Sequence, residues 1–276
     1  MTTFIRAINS EFAKLFTTRM WWILSLVLFL YIALLAGGLS WLFGGIQSGA
    51  ITPTAGGGAS AAPELDNLPS LIYSFASSVG YVFPVLLGAL ATTGEFRHQT
   101  LTPTFLANPR RVNVLGAKTV SMLIVGAGLG VVGLLASMGV GAIVLNSFDV
   151  DPALGDLDTW ALAGRSILAM ALWAAIGVGL GVLVPSQVAS IVIVLAFTQF
   201  VEPLLRLASS FIEVTANIGK FLPGAASDAL VGASFFTIAS PASAVLEWWQ
   251  GGLVLLAYAV VATVAGYFTS WKKDVT

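Results

Sequence analysis

The chain has 276 residues, 57% hydrophobic and 9% charged, with 12 Lys and Arg against 13 Asp and Glu, a formal net charge of −1 and a mean hydropathy of +0.93. A soluble globular domain carries about 25% charged residues, so these few charges cannot build a water-facing surface, and lipid must cover most of the outside. A charge balance near zero without any basic run argues against a nucleic-acid partner, and a chain with no cysteine has no disulfide, thiolate chemistry or cysteine-held metal.

In chain order, residues 4–18 are amphipathic. Phe4, Ile5, Ile8, Phe12, Leu15 and Phe16 recur at helical spacing, with Arg6, Asn9, Ser10 and Lys14 on the other face. This pattern predicts an N-terminal interfacial helix, the alternative being a cytosolic extension of the first span. Arg19, Trp21 and Trp22 are expected to anchor the entry into the bilayer. The charges Arg6, Glu11, Lys14 and Arg19 do not fit a cleaved signal peptide.

A bilayer core of about 30 Å needs roughly 20 helical residues. Apolar runs of that length fall at 21–43, 71–93, 119–145, 160–184, 187–208 and 248–270. They do not alternate as barrel strands do, and backbone in lipid must bond internally, so all six are expected to be helices. Residues 44–70, rich in Gly, Ala and Pro, are expected to form a loose outer loop. The third run carries Gly126 and Gly130, and the fourth carries Gly177 and Gly181. Small residues four apart let helices approach closely, within one chain or against a second copy. Residues 146–159 hold four aspartates and read as a solvated acidic loop in preference to a calcium site.

The fifth run contains Glu202 and Arg206, an i,i+4 pair read first as structural and second as an outer gate or substrate contact. Residues 209–247 are too long and apolar for a bare loop, so short helices in or dipping into the outer leaflet are expected, with breaks at Pro223-Gly224 and Ser240-Pro241. Counting Lys and Arg by side gives nine (Arg6, Lys14, Arg19, Arg97, Arg110, Arg111, Lys118, Lys272, Lys273) against three (Arg165, Arg206, Lys220). The positive-inside rule then predicts both termini in the cytoplasm. The spans contain no paired aspartates, no His-Glu-x-x-His and no nucleophile with a base; the single histidine, His98, lies in a loop. The chain is therefore not expected to be an enzyme, and energy for uphill transport is expected from another subunit.

The cytoplasmic connection 94–118 mixes charges with Phe96, Leu101, Phe105 and Leu106, as a docking surface does; a membrane-surface helix is the alternative. Its Glu95-Phe96-Arg97, Thr100 and Ala107-x-Pro109-x-Arg111 resemble the cytoplasmic loop of permease subunits of type-2 ATP-binding-cassette (ABC) exporters of bacteria. Ser10-Glu11-Phe12-x-Lys14-Leu15 with Thr17-Thr18-Arg19 is similar to that family's interfacial helix, and Lys220-Phe221-Leu222-Pro223-Gly224 to its outer-leaflet helices.

The resemblance implies an all-α, single-domain half-channel in a bacterial plasma membrane, paired with a second copy or a related permease and seated on two cytoplasmic ATPase subunits. Glu95, Phe96, Arg97, His98 and Thr100 would then lie in or beside a coupling helix docked on the ATPase, while Arg110 and Arg111 anchor the third span. No cofactor is expected on this chain. It has no Gly-x-x-x-x-Gly-Lys-[Ser/Thr] loop, which leaves Mg-ATP to the partner subunit. The expected substrate is hydrophobic or amphipathic: a drug, antibiotic, lipid or peptide. Two other functions remain open at this point, a non-transporting scaffold that docks a cytoplasmic partner and an ion-coupled secondary transporter.

Overall fold

The computed structural model describes residues 2–51, 67–209, 217–234 and 246–272, and these are all-helical. Among the described residues, six helices are long and apolar enough to cross a membrane: Met20–Gln47, Leu68–Arg97, Arg111–Ser147, Leu157–Leu183, Gln187–Ala208 and Trp248–Trp271. Each overlaps one of the expected runs. The third begins at Arg111, two turns before its apolar stretch, because Pro109 closes the preceding loop and no breaker follows. Lys118 therefore lies inside a helix rather than in a loop. The glycine-rich part of 52–66, the Ser240-Pro241 break and Lys273 fall outside the described residues.

The fourth span is the axis of the bundle. Its most apolar stretch is 78% buried, against 22% for the first, fifth and sixth spans, whose outward faces remain apolar and exposed. Small side chains make the central position possible, since they allow backbones to touch on several sides at once. A Cβ on Gly126 would lie 2.7 Å from the Met170 carbonyl oxygen, and one on Gly177 only 2.2 Å from that of Val85. Gly126 and Gly130 thus serve contact between the third and fourth spans, and Gly177 and Gly181 contact between the fourth and second.

Two spans are interrupted within their length, and the sixth ends in a π-helical turn at Tyr267–Trp271. The second consists of Leu68–Ser78 and Val82–Arg97. Pro84 has no N–H to give the Gly80 carbonyl, which accepts instead from the Phe83 amide at 3.1 Å, and the Gly80 amide reaches back five residues to the Phe75 carbonyl at 3.3 Å. In the fifth, a π-helical turn at Phe197–Val201 precedes Pro203. Both interruptions lie beside the same cluster of charges at one end of the bundle.

The two described ends of the chain both pack on the start of the third span, at the opposite end. The N-terminal helix Thr2–Phe16 turns Glu11 and Leu15 onto the third span while Ile5 and Phe16 stay exposed. Arg111 donates to the Lys272 carbonyl at 2.8 Å, joining the start of the third span to the end of the sixth. At the far end Tyr73 donates to the Pro152 carbonyl at 2.6 Å and holds the 148–156 turn in place. There Asp151 is used locally, accepting from the Ala153 amide at 2.9 Å.

Candidate functional site

At the end carrying both termini, the second span stops in a Schellman motif. Gln99 takes the left-handed conformation (φ 55°), and the Thr100 amide donates back to the Glu95 carbonyl at 3.1 Å. This reversal launches a short helix, Leu101–Ala107, across the bundle end. The inner side of that helix rests on aromatic packing. The rings of Phe96 and Phe105 meet Trp271 edge-on at 5.8 and 5.4 Å, and the Arg111 guanidinium lies 4.8 Å over Phe105. Trp271 is fully buried and donates its indole N–H to the Arg111 carbonyl at 3.1 Å. On the outer side, Arg97, His98, Gln99, Thr100 and Leu106 are exposed, Leu106 at 79%. Arg97 also donates to Gln187 at 3.0 Å, linking the second span to the start of the fifth.

Of the contact residues Glu95, Phe96, Arg97, His98 and Thr100 expected from sequence, Glu95 is buried and Phe96 packs inward on Trp271. The Glu95 side chain is 7% exposed, accepts from Lys14 at 2.6 Å and lies 3.3 Å from Lys118. Lys118 is itself buried, donating to Glu11 and to the Ala91 carbonyl, the latter at 3.1 Å. Lys14 completes the square with Glu11 at 2.6 Å. Two carboxylates and two ammonium groups therefore tie the N-terminal helix to the second and third spans with zero net charge. Burial pushes the Glu11 carboxyl up, but Lys118 and Lys14 outweigh it and hold the group below the usual carboxylate range. Burial likewise pulls the Lys14 ammonium down, and Glu95 and Glu11 prevail and raise it.

At the far end a second cluster joins three elements. Arg206 donates to Glu202 Oε1 from Nε and Nη2 at 3.1 and 2.8 Å, and to Asp228 Oδ2 from Nη1 at 2.6 Å. Asp228 stands on the helix Pro223–Val231, which packs against the start of the sixth span. Glu202 Oε1 also accepts from the Ala225 amide at 2.9 Å, so the Glu202 side chain satisfies a first-turn N–H of that helix. Asp228 accepts from Ser78 Oγ at 3.3 Å. Burial raises the Asp228 carboxyl above its ordinary value, with Arg206 and the Ser234 and Ser78 hydroxyls acting against the shift.

The remaining residues fall as follows. Arg19 precedes the first turn of the first span; Trp21 packs edge-on against Phe16 at 5.1 Å, and Trp22 faces outward, 45% exposed. Arg110 is exposed before the first turn of the third span. Among the described residues no three His, Cys, Asp or Glu side chains converge as a metal site. Sequence reasoning did not single out Lys118, Asp228 or Trp271 as site residues. The available signals were a lysine at the very edge of an apolar run, a lone acid in a fairly apolar connection, and a tryptophan beside the final basic pair. No family model matches the chain, and no curated protein matches its sequence.

Proposed function

We propose that this chain is the membrane-spanning subunit of an ABC exporter of a bacterial plasma membrane. Paired with an identical or related permease, it forms the path for a hydrophobic or amphipathic substrate, driven by Mg-ATP hydrolysis on two separate cytoplasmic subunits. In this reading the end carrying both termini faces the cytoplasm. The N-terminal helix lies at the interface, the Pro223–Val231 helix lies in the outer leaflet, and the exposed faces of the outer spans meet lipid and the second permease.

The observation that carries the proposal is the bracing of the Leu101–Ala107 helix. It is seated on Trp271 through Phe105 and followed by the Arg111 anchor, and Glu95, at the foot of the second span, reaches the N-terminal helix through Lys14 and Lys118. A short helix fixed on its inner side and exposed on its outer side can act as a lever. A push on it is transmitted to the second, third and sixth spans together, because the packed core does not absorb it. Arg97, His98, Thr100 and Leu106 form the surface offered to the ATPase, whereas Glu95 and Phe96 act from behind it.

The test is purification of the complex from its native membrane, identification of co-purifying chains by mass, and ATPase measurement with and without this chain. The expected result is an ATPase subunit whose activity depends on this chain. Leu106→Glu should abolish that association and leave the melting temperature unchanged, since the side chain is exposed. Transport that continues after ATP is exhausted, while an ion gradient is kept, would instead establish a secondary transporter. Association that survives Leu106→Glu together with Arg97→Glu would remove this loop from the contact.

A further inference from the structure

Most cations on the spans are matched from within the chain. Lys118 is held by Glu11 and Glu95, and Arg206 by Glu202 and Asp228. Arg97 donates to Gln187, and Arg111 to the Lys272 carbonyl. Arg165 differs. It stands about two turns into the fourth span, Leu157–Leu183, and is half-buried. Among the described residues, no carboxylate pairs with it and no oxygen accepts from its N–H groups.

The Arg165 guanidinium lies over the ring of Trp248, the first residue of the sixth span, 5.0 Å from its centroid. Trp248 is 47% exposed, and its own indole N–H has no acceptor among the described residues. The indoles of Trp160, Trp173 and Trp271, by contrast, donate to Leu154, Ser227 and Arg111. The C-terminal end of the Pro223–Val231 helix comes close as well, since a Cβ on Gly232 would lie 3.4 Å from Arg165 Nη1. A helix C-terminus offers about half a negative charge, which favours the guanidinium there without neutralising it.

A cation inside an apolar span is costly unless it is matched. The match must bring one negative charge and oxygens spaced for a guanidinium fork, as a phosphate does. The surroundings choose between a dissolved anion and a lipid. Ala161, Gly164 and Leu168, on the strip of the fourth span beside Arg165, are exposed, and a Cβ on Gly164 would meet nothing within 4 Å. This open apolar strip suits an acyl chain and gives a small ion nothing to hold. Arginine with tryptophan is also the pairing that sits at headgroup depth.

We propose that Arg165 and Trp248 bind the phosphate of an anionic phospholipid, whose acyl chains run along the exposed strip of the fourth span. Such a site requires only that these helices lie in a bilayer, whatever the chain transports.

The experiment is equilibrium binding of radiolabelled phosphatidylglycerol to the purified, delipidated chain in non-ionic detergent micelles. Unlabelled phosphatidylglycerol, diacylglycerol with the same acyl chains, and inorganic phosphate serve as competitors. A saturable, tight component displaced by unlabelled phosphatidylglycerol alone is the expected result. Arg165→Met should weaken that component by about tenfold or more. Trp248→Phe keeps the ring and removes the N–H, and should weaken it by about twofold or more. Displacement by diacylglycerol would mean that acyl chains alone are held, displacement by phosphate would mean a small-anion site, and the lack of a saturable component would mean no site. Each of these overturns the proposal without any variant, as does undiminished binding by a folded Arg165→Met. Should that variant not fold, Trp248→Phe, altered at an exposed side chain, decides in its place, and unchanged binding overturns the proposal.

Discussion

Lys118→Met tests whether charge holds the N-terminal helix to the bundle. The Lys118 side chain is 1% exposed, and its ammonium bonds Glu11 and the Ala91 carbonyl. Methionine is of similar length, so little packing is lost. What changes is the charge: Glu11 and Glu95 are left to share Lys14, whose side chain is 40% exposed and correspondingly screened. Removing one member of a buried pair costs about 3–5 kcal/mol, a drop on the order of 10 °C in melting temperature.

The assay is thermal melting in detergent micelles, followed by tryptophan fluorescence across a pH series. Without Lys118, only Lys14 opposes burial at Glu11, and its folded-state pKa rises relative to the wild type. The folded variant then takes up the proton at a higher pH than the folded wild type, so the deficit shrinks as pH falls toward the acid range. The double variant Glu11→Leu with Lys118→Met keeps the Lys14–Glu95 pair at 2.6 Å and should cost less than the sum of the two single changes. A melting temperature within about 2 °C of the wild type, flat with pH, would refute the reasoning.

In the wild type, the same cluster sets a pH window. Glu11 is held below its ordinary 4.5, so its contribution is complete above that pH and is lost as pH falls through the depressed folded value. Lys14 is raised above its ordinary 10.5, so its contribution is complete below that pH and is lost as pH rises through the folded value. In an Asp228→Asn background, which removes the raised carboxyl at the far end, melting temperature against pH should therefore plateau between the two and fall on both sides; a steady slope across the neutral range would contradict this. Gly177→Ala places a Cβ 2.2 Å from the Val85 carbonyl oxygen, whereas one on Gly164 meets nothing within 4 Å. The first change should destabilise by about 1–3 kcal/mol or more and the second should be neutral or stabilising by up to about 1 kcal/mol, so equal melting shifts would disprove the close approach. Gln99→Gly relieves a left-handed residue at φ 55° and should stabilise by about 1 kcal/mol; a lower melting temperature would mean that the Gln99 side chain contributes a contact of its own.

The six long apolar helices were legible in the residues because their length and composition are local properties. An apolar run of about 20 residues has no other stable conformation in a bilayer, so each expected run overlaps a helix, and proline marks where a helix starts or is interrupted. The small-residue pairs at Gly126/Gly130 and Gly177/Gly181 were visible for the same reason, as spacing on one helix face. The Glu202–Arg206 pair was visible too, since four residues of helix bring its members together.

Partners distant in sequence were not legible. Lys118 read as one more loop cation, because only the third span's extension back to Arg111 and the crossing of the N-terminal helix bring it to Glu11, 107 positions away. Glu95 read as a surface residue, and the Schellman turn at Gln99 leaves it facing inward while its neighbour Arg97 faces out. Asp228 read as one acid among several in a long connection, until packing of the Pro223–Val231 helix set it against Arg206. Sequence by itself determined which runs form helices long and apolar enough to cross a membrane and which helix faces are small, because those follow from local hydropathy and helical period. Tertiary structure alone decided which charges are buried, that Glu95 Oε2 and Glu202 Oε2 lack a donor and which side of the loop helix is exposed, because those depend on contacts between segments that share no local pattern.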